Sequence, residues 1–150
     1  LMIIRELIGF VPRSSGTRLS EPIRFLTNVN KKHTTSFILS DFMDAPSDDA
    51  DLADALKIAG SRHDLVGIRV YDPREQTLPD VGIVEMKDAE TGRKVWVDTS
   101  SRRVRDHYAA HWQQNAGRIA DTLRHHRIDT AEVATDADYV VELIKLFKQR

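Results

Sequence analysis

Apolar residues along this chain fall into short runs and helix-spaced stripes that take turns. Phe37-Ile38-Leu39 is a continuous apolar run that stops abruptly at Ser40-Asp41. With no alternation of apolar and polar positions, both faces of this strand are expected to be covered, as in the centre of a parallel sheet. Leu52, Ala55, Leu56 and Ala59 then recur at helical spacing behind Ser47-Asp48-Asp49, whose acids suit a first turn at the positive end of a helix dipole. Arg62-His63 close that helix, and Leu65-Val66-Gly67-Ile68-Arg69-Val70-Tyr71 reads as the next strand. Strand, helix and strand within roughly 35 residues make a βαβ unit with a right-handed crossover.

The flanking segments extend this pattern. Met2-Ile3-Ile4, Leu7-Ile8 and Val11 predict a helix entered midway, followed by the polar turn Pro12–Thr17. A second helix is predicted from Leu19 to Asn30, with Ile23 and Leu26 on its buried face and Pro22 in its first turn. Beyond the turn Leu78-Pro79-Asp80, the runs Val81–Met86 and Val95–Val97 flank the turn formers Asp88–Gly92 and predict a β-hairpin. A long helix follows from Ser100 to His126, its core face marked by Val104, Tyr108, Trp112, Ile119 and Leu123. Ala131–Ala134 predicts a short strand, and Thr135-Asp136 caps a last helix carrying Val140, Leu143, Ile144 and Phe147 on one face. The expected fold is α/β: a three-layer, Rossmann-like sheet with helices on both faces, plus the hairpin.

Composition narrows the function. The chain has 150 residues, enough for one domain with a real core, and a formal net charge of -1, which gives no global pull toward nucleic acid or anionic lipid. Arg102-Arg103-Val104-Arg105 lacks interleaved aromatics and reads as a solvated face rather than a nucleic-acid patch. No cysteine is present, so disulfides, thiolate zinc sites and cysteine nucleophiles are excluded. This suits a reducing compartment, and a cytoplasmic location is expected. The apolar start is too short to span a bilayer and carries Arg5 and Glu6, so no membrane contact is expected of it. With Leu1 ahead of Met2 and no cap ahead of the first helix, the chain is expected to be the C-terminal part of something longer, for example the soluble part of a membrane-associated protein.

Four groups of residues carry a resemblance. They are Gly16-Thr17-x-Leu19 before a helix, Ser40-Asp41-Phe42-Met43-Asp44 at a strand end, Asp72-Pro73-Arg74-Glu75 with Leu78-Pro79, and Asp98-Thr99 before a helix. In this order the chain resembles the C-terminal portion of a bacterial von Willebrand A-like domain, specifically the domain of unknown function 58 family. It would then be a single domain over residues 1–150, truncated on its N-terminal side. The resemblance implies a divalent-metal adhesion site in which Thr17 matches the second loop and Asp41 the third. Magnesium would suit these oxygen ligands in a complete domain. The first loop, Asp-x-Ser-x-Ser, has no counterpart here, because no strand precedes the first helix. No cofactor is therefore expected to be held by this chain alone. The resemblance also implies a protein partner, a MoxR-type AAA ATPase among them. The missing first strand would leave an apolar strand edge open to homodimerisation.

The residues leave alternatives open. Asp41 is either a metal-edge carboxylate or a cap on the turn that follows it, and Thr17 either a ligand or a plain helix N-cap. Asp72-Pro73-Arg74-Glu75 is either a second acidic cluster near the same edge or, more simply, a turn in which Pro73 fixes the backbone and Asp72 bonds locally. Asp44, Asp48, Asp49 and Asp51 lack the glycine and final glutamate of a calcium loop. His107 and His111 have the spacing of two zinc ligands, but no third ligand and no glutamate between them. The leading expectation is a non-enzymatic protein-interaction module. The alternative is a small metal-dependent hydrolase for phosphoryl substrates, with Asp41, Asp72 and Asp98 as oxygen ligands. The sequence shows no phosphate loop or nucleophile elbow for such chemistry.

Overall fold

The computed structural model describes residues 2–11, 18–43, 49–87 and 92–150. Its elements, in chain order, are α1 (Met2–Gly9), α2 (Ser20–Val29), β1 (Thr35–Ser40), α3 (Asp49–Arg62), β2 (Asp64–Tyr71), a 3-10 turn at Pro73–Glu75, β3 (Ile83–Lys87), β4 (Lys94–Asp98), α4 (Arg102–His125), β5 (Asp129–Ala134) and α5 (Tyr139–Gln149). The α/β architecture expected from the patterning is the one observed: a parallel sheet of order β1-β2-β5 and a separate antiparallel hairpin, β3-β4. Thr35 lies opposite Asp64 and Ser40 opposite Arg69, while Val66 lies opposite Asp129 and Tyr71 opposite Ala134.

β2 is the central strand, and successive residues feed two cores. Leu65 joins Leu52, Ala55, Leu56 and Ala59 of α3 and Ile119 and Leu123 of α4. Val66 and Ile68 face Ala131, Val133 and Leu146 of β5 and α5. The α3 stripe read from the sequence is fully buried, with Leu56 and Ala59 at 0% exposure. Gly67 lets one face close up, since a Cβ there would meet Leu123 Cδ1 at 3.3 Å and Phe42 Cζ at 3.7 Å.

Three expectations are corrected. β1 is an edge strand rather than a central one, and its residues alternate between exposed and half-buried, with Leu39 65% exposed. The reason is neighbourhood: only β2 pairs with it among the described residues, and α5 reaches it at Phe37, whose ring stands 6.3 Å from that of Phe147. The long-helix stripe also divides. Ile119 and Leu123 are core, whereas Val104, Tyr108 and Trp112 are half-buried. The α5 cap lies slightly later than expected: Asp138 accepts the amide of Val140 at 2.9 Å. α1 forms where expected, with all its residues exposed.

Candidate functional site

The carboxyl edge of the sheet opens into a cleft of about 670 Å³, lined by residues that include Asp41, Met43, Glu75, Met86, Tyr108 and Trp112. Ligands of open α/β sheets bind at this edge. Three constructions shape it.

The first is the end of β1. Phe42 takes a left-handed backbone conformation, φ +55°, and its ring is 1% exposed in the cluster holding Leu19, Ile23 and Leu52. Few residues without a special reason adopt this conformation; here the buried ring offsets the backbone strain. The Phe42 amide donates to Ser40 Oγ at 3.0 Å and the Met43 amide to Asp41 Oδ1 at 3.2 Å. Asp41 thus caps the turn with one oxygen while its side chain remains exposed at the cleft.

The second is a charged post. Arg69 is the charged residue inside the otherwise apolar run Leu65–Tyr71 of β2, and it is 5% exposed. Its guanidinium carbon sits 4.6 Å from the Trp112 ring centroid and 5.4 Å from that of Tyr71. Nη1 pairs with Glu132 at 3.3 Å, and Nε donates to the Asp41 carbonyl at 3.4 Å. Stacking and pairing compensate for taking the cation out of water. One side chain therefore links the Asp41 turn to the α4 wall.

The third is the hairpin, whose root is fixed to α4. Thr99 is completely buried; its hydroxyl donates to the Gly82 carbonyl at 2.6 Å and accepts the Val81 amide at 3.2 Å. Arg105 donates to the Thr99 carbonyl at 2.6 Å and pairs with Asp80 at 3.1 Å. Strand pairing puts Val84 opposite Val97 and Met86 opposite Val95, and Met86, Val95 and Val97 face the cleft.

Charge in the cleft is uneven. No ion pair of Asp41 or Glu75 is found among the described residues. Burial, with the nearby Glu75 carboxylate second, pushes the Tyr108 phenol above its ordinary range. Lys87 and Arg93 stand on the hairpin side.

The other predicted site residues serve local structure. Asp72 accepts the Arg74 amide at 2.9 Å and pairs with its guanidinium at 2.7 Å, and that side-chain bond, with the amide second, holds the carboxyl below its usual range. Asp98 accepts from the Ser100 hydroxyl and, at 3.0 Å, from the Ser100 amide, with the same effect on its carboxyl. His107 and His111 are exposed on α4, and His111 Nδ1 lies 3.4 Å from Asn115 Nδ2. Among the described residues no three His, Cys, Asp or Glu side chains are grouped to hold a metal ion. Thr17, Asp44, Ser47 and Asp48 lie outside the described residues. No helix among the described residues is long and apolar enough to cross a membrane.

Sequence reading missed Met86 and Trp112 as cleft residues, and it preferred a plain turn to an acidic edge cluster for the segment holding Glu75. Arg69 did carry a signal, since a lone charge inside an apolar strand demands a partner.

The pattern defining a family described as "Protein of unknown function DUF58" matches residues 1–118. Uncharacterized protein MAV169 of Mycobacterium avium is 29% identical over 95% of this chain and 83% of its own length. Uncharacterized proteins Mb1516 of Mycobacterium bovis and Rv1480 of Mycobacterium tuberculosis are each 28% identical over 99% of this chain. The chain spans less than half, 46%, of each of these two. No solved structure matches it.

Proposed function

Because the chain belongs to the family described as Protein of unknown function DUF58, whose description assigns no activity, we propose its role from the site: a non-enzymatic protein-interaction module that receives a partner segment in the carboxyl-edge cleft. The observation that carries this reading is the lining. Met43, Met86, Val95, Val97, Tyr108 and Trp112 give an apolar interior under a charged rim, the composition of a recognition groove. Methionine and aromatic side chains are well suited to accepting a peptide surface.

The von Willebrand A-like reading belongs to the same proposal. Of the two adhesion-site residues implied by the resemblance, Asp41 is the one described. One of its oxygens already accepts the Met43 amide, leaving one free oxygen where magnesium requires a near-octahedral shell. The described residues thus do not fit a metal site by themselves, and no step is assigned to a metal. A MoxR-type AAA ATPase is the partner class that the resemblance suggests. The free edge of β1, with Leu39 and Phe37 exposed, is a second pairing surface at which a copy of this chain would add a strand. Mass by light scattering that rises with concentration, and falls back in Leu39→Lys, is the expected result there.

The hydrolase alternative has no supporting observation. Asp41, Asp72 and Asp98 each cap their own turn.

Two measurements test the reading together. Phosphatase and ATPase turnover with magnesium or manganese is expected to stay at buffer level, and unchanged in Asp41→Ala. A photo-crosslinker at Val97 is expected to join a protein partner, while one at the distant Lys57 does not. Metal-dependent turnover abolished by Asp41→Ala would overturn the proposal.

A further inference from the structure

Resting on the cleft as a protein-binding site, we propose that it selects a partner segment presenting a lysine or arginine side chain. The aliphatic stem would lie along Met43, Met86 and the α4 rings, with the cationic head between Asp41 and Glu75.

Three features of the site converge on this chemistry. Among the described residues Asp41 and Glu75 are the two acids lining the cleft, both are exposed, and neither has an ion pair there. The neighbouring acids are already engaged: Asp72 pairs with Arg74, Glu132 with Arg69 and Asp80 with Arg105. Unengaged negative charge is therefore concentrated on the strand-end wall of the cleft. Tyr108 and Trp112 line the same cleft, Trp112 already stacked on Arg69, and two thioethers there accommodate a flexible hydrocarbon stem. The Tyr108 phenol is pushed above its ordinary range by burial first and by the nearby Glu75 carboxylate second, consistent with that placement of charge. Lys87 and Arg93, on the hairpin side, disfavour a second cation there.

The test uses the full chain and three acetylated, amidated pentapeptides, Gly-Leu-X-Leu-Gly, with X lysine, glutamate or leucine. Trp112 emission in a Trp96→Phe background reports binding. The lysine peptide is expected to bind at least about tenfold more tightly than the leucine or glutamate peptide, the worth of one charge-assisted hydrogen bond. Asp41→Asn with Glu75→Gln should abolish that preference. These variants keep the Asp41 acceptor for the Met43 amide, and an unchanged thermal melt confirms that the fold is intact. Rising salt should weaken lysine-peptide binding and leave the leucine peptide unaffected. Tighter binding of the glutamate peptide, equal binding of all three, no binding of any, or a lysine preference that survives the double variant would overturn the proposal. If the crosslinker at Val97 still joins a protein partner under any of those outcomes, the interaction reading stands and the basic-segment reading falls.

Discussion

Toward its carboxyl end α4 buries Ile119 and Leu123 to 4% and 3% exposure; toward its amino end Tyr108 and Trp112 stay half-buried and face the cleft. Both halves belong to one helical stripe. What separates them is the surface opposite. The lower half meets α3 and β2 and completes the main core, while the upper half touches β2 at Arg69 and Tyr71 through Trp112 and otherwise faces the open cleft beside the hairpin. An apolar stripe thus reports that a helix has something to cover and leaves open whether that is the protein's own interior or a visitor.

The largest break in this comparison comes from truncating the lower half. Leu123→Ala is expected to cost about 3 kcal/mol in urea unfolding, because it leaves a cavity beneath Gly67 that close packing cannot refill. Arg69→Met should cost less, about 1.5 kcal/mol, through lost stacking on Trp112 and Tyr71 and the lost bond to the Asp41 carbonyl. It should also shift Trp112 emission, which Leu123→Ala leaves in place.

Asp64→Asn gives a smaller, pH-dependent effect. The Arg150 guanidinium bonded to Asp64, helped by Thr35, holds this carboxyl below its ordinary value of 3.8. A carboxyl depressed on folding stabilises above its unfolded value, and that contribution is lost as pH falls through the folded one. The melting temperatures of wild type and Asp64→Asn should therefore differ at neutral pH and converge under acid. Tyr108→Phe should change stability least, by under about 0.5 kcal/mol, since only the phenol oxygen is lost from a half-buried ring. In Glu75→Gln the Tyr108 phenol should titrate closer to its ordinary 10.0 by ultraviolet absorbance, because one of the two causes holding it up is removed.

Most elements were legible because local chemistry and tertiary packing agree in them. The α3 stripe, the apolar β2 run and the paired runs of the hairpin strands each specify one solution. β1 was misplaced because Phe37-Ile38-Leu39 is apolar on both faces, whereas burial depends on which neighbours arrive, and among the described residues one strand does. At the site, Asp41 was found by its position after an apolar strand, and the geometry displays its turn-capping role. Trp112 was taken for core and Glu75 for part of a turn, since they come from elements far apart in sequence, and no spacing rule links a 3-10 turn to the middle of a distant helix.

The buried Thr99 hydroxyl joins the two ends of the hairpin to each other, and Arg105 ties them to α4. A groove whose far wall is pinned in this way is ready before its visitor arrives. The ordering penalty of complex formation then falls on the incoming segment, and variants that loosen this root should release bound partners faster while the rate of encounter holds steady.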